Sequence, residues 1–223
     1  MLVSKNDKNI NVFDKRDSMY PSYGLLIGNE HFVKASEIGW ATMFGYSEFT
    51  CQIQIGETVH HLGKNNYFSL VTKNNDVLFK PISNSIIFVV FRLGFIGVNL
   101  VGELDVEKPG KLSYIDGCSD SMLVYPPRFG DPNLNYLHFP KNIDQTKHTH
   151  PSIRIGYIVS GNGKAETTKS LKLKTGTMFC LEEHELHKFK TENSEMKLVV
   201  YHPDSDWGPT DQNHTMLNRT YIK

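Results

Sequence analysis

The feature that most constrains this chain is the brevity of its apolar runs. Glu48–Ile55, Tyr67–Thr72, Val77–Pro81, Ile86–Phe91, Ile153–Ser160, Leu171–Lys174 and Lys197–His202 are short, and Gly, Asn, Asp and Pro separate them. Phe49, Cys51, Ile53 and Ile55 alternate with Glu48, Thr50, Gln52 and Gln54. That period of two turns one face of a strand inward. No long stretch has 3.6-residue periodicity, and one helix is expected, around Val33–Met43. Many short strands with frequent turns predict an all-β sandwich or barrel.

A stretch from Val106 to Asp131, with EKPGK, DGCSD and PPRFGDP, is rich in turn formers and divides the chain into two parts of similar strand density. The expected organisation is a polar tail over 1–15, a β domain over 16–105, a second β domain over 106–203 and an irregular extension over 204–223.

Composition excludes several classes. Lys plus Arg and Asp plus Glu are 24 each in 223 residues, so there is no basic field and nucleic acid is not an expected partner. A hydrophobic content of 39% at zero net charge is that of a folded chain. The most apolar run is cut by Arg92 and Gly94, far short of the ~20 residues of a membrane span. The N-terminus, MLVSKNDKNINVFDK, has no apolar core of a secretory signal, so a cytoplasmic location is expected. Cys51, Cys118 and Cys180 form no CxxC and read as buried free thiols.

Seven of the ten His follow residue 137, and the sharpest local feature is His148-Thr149-His150. Residues two apart on a strand share a face, so two imidazoles can clamp one metal ion. Arg154 follows, then Gly161 in a strand-and-turn segment, then Gly176 and His187.

This spacing resembles the two-part signature of the cupin superfamily. Its first part is Gly, five residues, HxH, three or four residues, Glu, six residues, Gly. Asn142 stands for the first Gly; His148, His150 and Gly161 match; Arg154 stands where Glu is expected. In the second part Gly176 and His187 match, while Glu182, His184 and Thr191 replace Pro, Gly and Asn. Asn tolerates the left-handed conformation that a turn Gly supplies. The resemblance implies a double-stranded β-helix (jelly roll) from about 104 to 203, preceded by a degenerate barrel in tandem. It implies His148, His150 and His187 as ligands of one metal, Fe(II) first, with Zn, Ni or Mn as alternatives. His60 and His61 are adjacent, point to opposite faces of a strand and are assigned no metal.

Arg154 is the informative departure, because Arg cannot ligate a metal and stays charged. At about 6 Å and an effective dielectric of ~20 it repels a dication by roughly 5 kcal/mol. Three readings stay open. In the first, three His alone hold a metal, as in some cupin dioxygenases acting on thiols, diketones or aromatic acids, and Arg154 anchors a substrate carboxylate. In the second, the barrel binds an anion without metal, as in sensor or sugar-processing cupins. In the third, Arg154 points out or pairs with a carboxylate such as Glu182 or Glu183, leaving a four-ligand site that uses His184 or a Glu.

Other residues read more plainly. Tyr157 faces away from Arg154 by strand parity and is assigned to packing, His138 to a structural role and Cys180 to a small buried hydrophobe. Asp204, Asp206, Asp211 and His214 read as a solvated acidic loop, which Trp207 and Met216 anchor over the barrel mouth or on a partner subunit. The expectation is therefore an Fe(II) dioxygenase acting on a small anionic molecule held by Arg154. The alternative is a metal-free or Zn-bound binding, sensor or isomerase-type cupin. A homodimer is expected from exposed sheet edges.

Overall fold

The computed structural model describes residues 1–4, 11–82 and 85–213. The first part of the chain forms β1 (Leu2–Ser4), β2 (Asn11–Lys15), β3 (Ser22–Ile27), β4 (His31–Val33), α1 (Ala35–Ile38), β5 (Ala41–Ser47), β6 (Cys51–Ile55), β7 (Thr58–Leu62), β8 (Asn66–Val71), β9 (Val77–Pro81), β10 (Ile87–Leu93) and β11 (Leu100–Glu103). The second part forms β12 (Leu112–Ser113), a 3-10 turn (Ile115–Gly117), β13 (Ser119–Val124), β14 (Asn133–Phe139), β15 (Arg154–Glu166), β16 (Ser170–Lys174), β17 (Met178–Leu181), β18 (Lys188–Lys190) and β19 (Met196–His202).

Residues 11–103 build a six-stranded sheet, β11-β8-β5-β10-β3-β2, and a four-stranded sheet, β4-β9-β6-β7. The later strands, joined by β1, build a nine-stranded sheet along β1-β17-β15-β19-β14-β13-β12, with β16 and β18 flanking the far half of β15. The register of β15 on β19 shifts between Ile158 and Ser160. Such an irregularity bends a strand. It lets one strand pair with β17 through Arg154–Tyr157, with β16 through Asn162–Glu166 and with β18 through Lys164–Glu166.

Strand alternation explains the core. Ile87, Val89 and Phe91 of β10 pack with Leu25, Ile53 and Phe79 inside the first part. Leu198 and Val200 of β19 pack with Phe139, Phe179 and Phe189 inside the second. The opposite faces of the same strands, with Phe88 and Val90 against Val199 and Tyr201, form a third apolar layer that joins the two parts. These central strands are buried on both faces, which is why they read as continuous apolar runs.

Two expectations change. The helix foreseen over Val33–Met43 is one turn, Ala35–Ile38, ended by Gly39 at φ 55°. Residues Ala41–Ser47 are instead a buried central strand between β8 and β10, so long-range pairing overrides local preference. The polar tail over 1–15 contains two strands, β1 on the edge of β17 and β2 on the edge of β3. No helix among the described residues is long and apolar enough to cross a membrane.

Candidate metal centre

After β14 the chain turns at Asn142, whose φ is 62°. It then runs along β18 without forming a regular strand. The HxH segment is held by a single antiparallel bridge: His148 N–H donates to His187 O at 2.9 Å, and His187 N–H donates to His148 O at 3.0 Å. His184 N–H donates to His150 O at 2.8 Å. The two sequence segments are thus stitched together at their His residues.

The three imidazoles converge. One ring nitrogen from each of His148, His150 and His187 lies within 4.8 Å of the others. Ring centroids are 4.5 Å apart for His148–His187 and 5.1 Å for the other two pairs. His148 Nδ1 lies 2.9 Å from Thr146 O, and His187 Nδ1 lies 2.8 Å from Glu185 O. A carbonyl can only accept, so each Nδ1 donates, and Nε2 is the ring nitrogen left over for a metal. Burial pushes the His187 pKa down to about 4; burial, with Arg154 next, pushes that of His150 down to about 3. Both rings are therefore neutral at pH 7, the form that ligates a metal. His187 Nε2 is buried and has no hydrogen-bond partner among the described residues. That orphaned nitrogen, together with an all-imidazole donor set, fits a metal ion.

Arg154 lies beside the triad and lines the same small cavity of about 40 Å³. Its Nη1 donates to Ser152 O at 3.1 Å, to Ile153 O at 2.9 Å and to Ser152 Oγ. Asp204 Oδ1 lies 3.6 Å from the same nitrogen. The carboxylate partner of Arg154 is thus Asp204, rather than Glu182 or Glu183. Glu182 takes Lys15 Nζ at 2.6 and 2.8 Å. His184 stands outside the triad, and among the described residues no carboxylate joins the group.

Sequence reasoning missed three residues here. His202 continues the inward alternation of Leu198 and Val200 and lines the cavity, so its parity could have marked it. Asp120 lines the cavity from β13, and no local motif announced it. Asp204, expected in a solvated loop, is instead tied to Ser152 Oγ and Arg154. Tyr157 packs against Phe88 and Tyr46, and His138 Nε2 lies 3.0 Å from Glu195 Oε2. The three Cys are buried free thiols, and His60 and His61 lie outside the His group. Asp211 pairs with Arg128, and Trp207 packs at a tilt against Tyr125, ring centroids 5.7 Å apart. His214 and Met216 lie outside the described residues.

No family model matches the sequence, and no curated protein matches it. Solved structures do match. A putative glyoxylate-induced protein from Pseudomonas aeruginosa is 13% identical, with 90% of this chain and 82% of that chain covered and a TM-score of 0.64. A cupin 2 conserved barrel domain protein from Leptotrichia buccalis is 14% identical, with 89% and 90% covered and a TM-score of 0.57. An oxalate decarboxylase from Bacillus subtilis, described with Mn(II) centres, is 8% identical, with 93% and 78% covered and a TM-score of 0.58.

The chain has the cupin fold. Its departures from the cupin signature preserve backbone shape where glycine is replaced. Asn142 and His184 both stand for Gly and both keep positive φ, 62° and 55°. Thr191, in place of the signature Asn, ties the turn by donating to Pro140 O and accepting from Ile143 N–H at 3.0 Å.

Proposed function

We propose that this cupin is a mononuclear Fe(II) dioxygenase with three His ligands, acting on a small carboxylate. One observation carries the reading. Among the described residues no carboxylate joins the triad, and Arg154 stands beside it with Nη1 tied to Ser152 and Ile153 and its buried Nε without a hydrogen-bond partner. Nε and Nη2 form one edge of the guanidinium, the fork that takes a carboxylate bidentately. Ser152 and Ile153 hold Nη1 and so fix the plane of the fork. Apolar walls from Phe139, Phe179, Leu181 and Phe189 exclude bulk water and strengthen the charge interaction.

Bound Fe(II) would supply the O₂ chemistry of an oxygenase, and the three imidazoles would hold it. Zn, Ni and Mn suit the same donors, and an oxalate decarboxylase of this fold is described with Mn(II). The cavity of about 40 Å³ has room for about three water-sized positions. Short acids and small thiols therefore fit better than aromatic acids.

A second reading rests on Arg154 itself, whose positive charge beside the triad opposes a dication and suits metal-free anion binding. Elemental analysis of untagged protein separates the two. Bound metal that disappears in His148→Ala/His150→Ala supports the enzyme; no metal in either protein sinks it. Iron-loaded protein that consumes no O₂ with short carboxylates, thiols or diketones favours the binding module.

A further inference from the structure

Eight buried side-chain polar atoms have no hydrogen-bond partner among the described residues. Five of them, on Asp120, Asn133, Asn135, Arg154 and His202, line the cavity at the triad or an adjoining one of about 230 Å³. A sixth is His187 of the triad itself. Folded proteins pair nearly all such atoms, so a cluster of exceptions at one place marks where a polar ligand belongs.

The unmet groups have a pattern. Arg154 offers donors. Asp120 offers an acceptor, Oδ1, into the same small cavity. Its other oxygen accepts from Asn135 Nδ2 at 2.8 Å, and the Ser121 backbone N–H also donates to the carboxylate. Among the described residues no cation pairs with it. A buried carboxylate in that state calls for a donor, best a charged one, from whatever fills the cavity.

We propose that the site takes a short amino or hydroxy carboxylic acid, with its carboxylate on the Nε–Nη2 edge of Arg154 and its amine or hydroxyl on Oδ1 of Asp120. This rests on the reading of Arg154 as the carboxylate anchor and adds Asp120 as the residue that selects the second functional group. Asp120 comes from β13, three places along the sheet from the β15 strand that carries Arg154, and lines the same cavity, so it can read a second group on the same ligand.

The test uses glycine, glycolate and acetate, which share a two-carbon frame and differ only in the donor. Full-length Zn-loaded protein is titrated with each by calorimetry. Glycine and glycolate should bind about tenfold or more tighter than acetate, the scale of one hydrogen bond to a charged group. Asp120→Ala and the isosteric Asp120→Asn should lose most of the glycine preference and leave acetate unchanged, with metal content and thermal unfolding confirming that both variants fold. A preference that persists in both variants is chelation by the metal and overturns the proposal. Equal binding of all three acids, lost in Arg154→Gln, overturns the role of Asp120 while the anchor stands. No binding of any acid, or binding indifferent to Arg154→Gln, overturns the anchor as well.

Discussion

Asp204 Oδ1 lies 3.6 Å from Arg154 Nη1, and neither side chain is more than 14% exposed. The sequence places a charged Arg where the cupin signature has Glu, in a chain of zero net charge. The structure gives the Arg a counterion, supplied by the segment just after β19. Opposite unit charges at about 4 Å attract by about 4 kcal/mol at an effective dielectric of ~20. The triad therefore faces a dipole rather than a lone positive charge, which removes part of the objection to a metal there.

Asp204→Asn tests this compensation. It keeps the shape of the side chain and removes its charge. Metal affinity, measured by competition with a chelator, should fall roughly tenfold as Arg154 acts unopposed on the dication. Acetate affinity should rise, because the guanidinium loses a competitor. Unchanged metal affinity would mean that the charge of Arg154 does not reach the triad.

The triad makes a sharper prediction about stability. A ligand that binds only the folded state stabilises it by about 2.7 kcal/mol at a hundred times its Kd. Adding Zn(II) or Fe(II) should raise the thermal midpoint of the wild type by several degrees. His148→Ala, His150→Ala and His187→Ala should each abolish most of that rise. His187→Ala should also lower the midpoint without metal, because His187 is 1% exposed and its ring contacts Phe189. A metal-induced rise that survives all three substitutions would place the ion elsewhere.

Much of this centre was legible because backbone shape and ligand spacing are local properties. Gly161 has φ 80°, and a Cβ there would come within 1.9 Å of Glu195 O, so the position admits little but Gly. Asn142 takes a positive φ that a polar side chain tolerates, and the motif survives its replacement. Arg154 was legible as a departure because its neighbours fixed what should have stood there. Asp120 and Asp204 were not legible. They reach the cavity from β13 and from the segment after β19, through strand order that no local pattern encodes. Ala41–Ser47 was missed as a strand for the same reason, since its partners are β8 and β10 rather than its sequence neighbours.

Asp120 should make stability depend on pH in an unusual direction. Burial raises its pKa from 3.8 to about 6, against the hydrogen bonds from Asn135 and Ser121. A carboxyl whose folded pKa exceeds its unfolded one favours the folded state while protonated. Its contribution is most favourable below about pH 4 and is lost as pH rises through about 6. At pH 7.5 the buried charge destabilises the empty protein by about 2–3 kcal/mol. Asp120→Asn should recover about that amount in urea unfolding at pH 7.5 and nothing at pH 4. A variant less stable than the wild type at pH 7.5 would show that the carboxylate already has a partner.

Tyr157 tests how firmly the two parts of the chain are joined. Its ring is fully buried and stacks on Phe88 at 5.8 Å, and its hydroxyl donates to Glu48 Oε1. Burial raises the pKa of Glu48, while the Tyr157 hydroxyl opposes that rise by stabilising the carboxylate. Tyr157→Phe keeps the stacking and removes the donor, leaving a half-buried carboxylate unmet, at a cost of about 1–3 kcal/mol. The folded pKa of Glu48 should then climb further above its unfolded value of 4.5. The penalty of the substitution should be smallest near pH 4, where Glu48 is protonated, and grow as pH rises through the folded pKa. Urea unfolding at pH 4 and pH 8 measures the difference directly. An equal loss at both pH values would assign the hydroxyl to packing alone, with no part in holding the charge of Glu48 between the two parts of the fold.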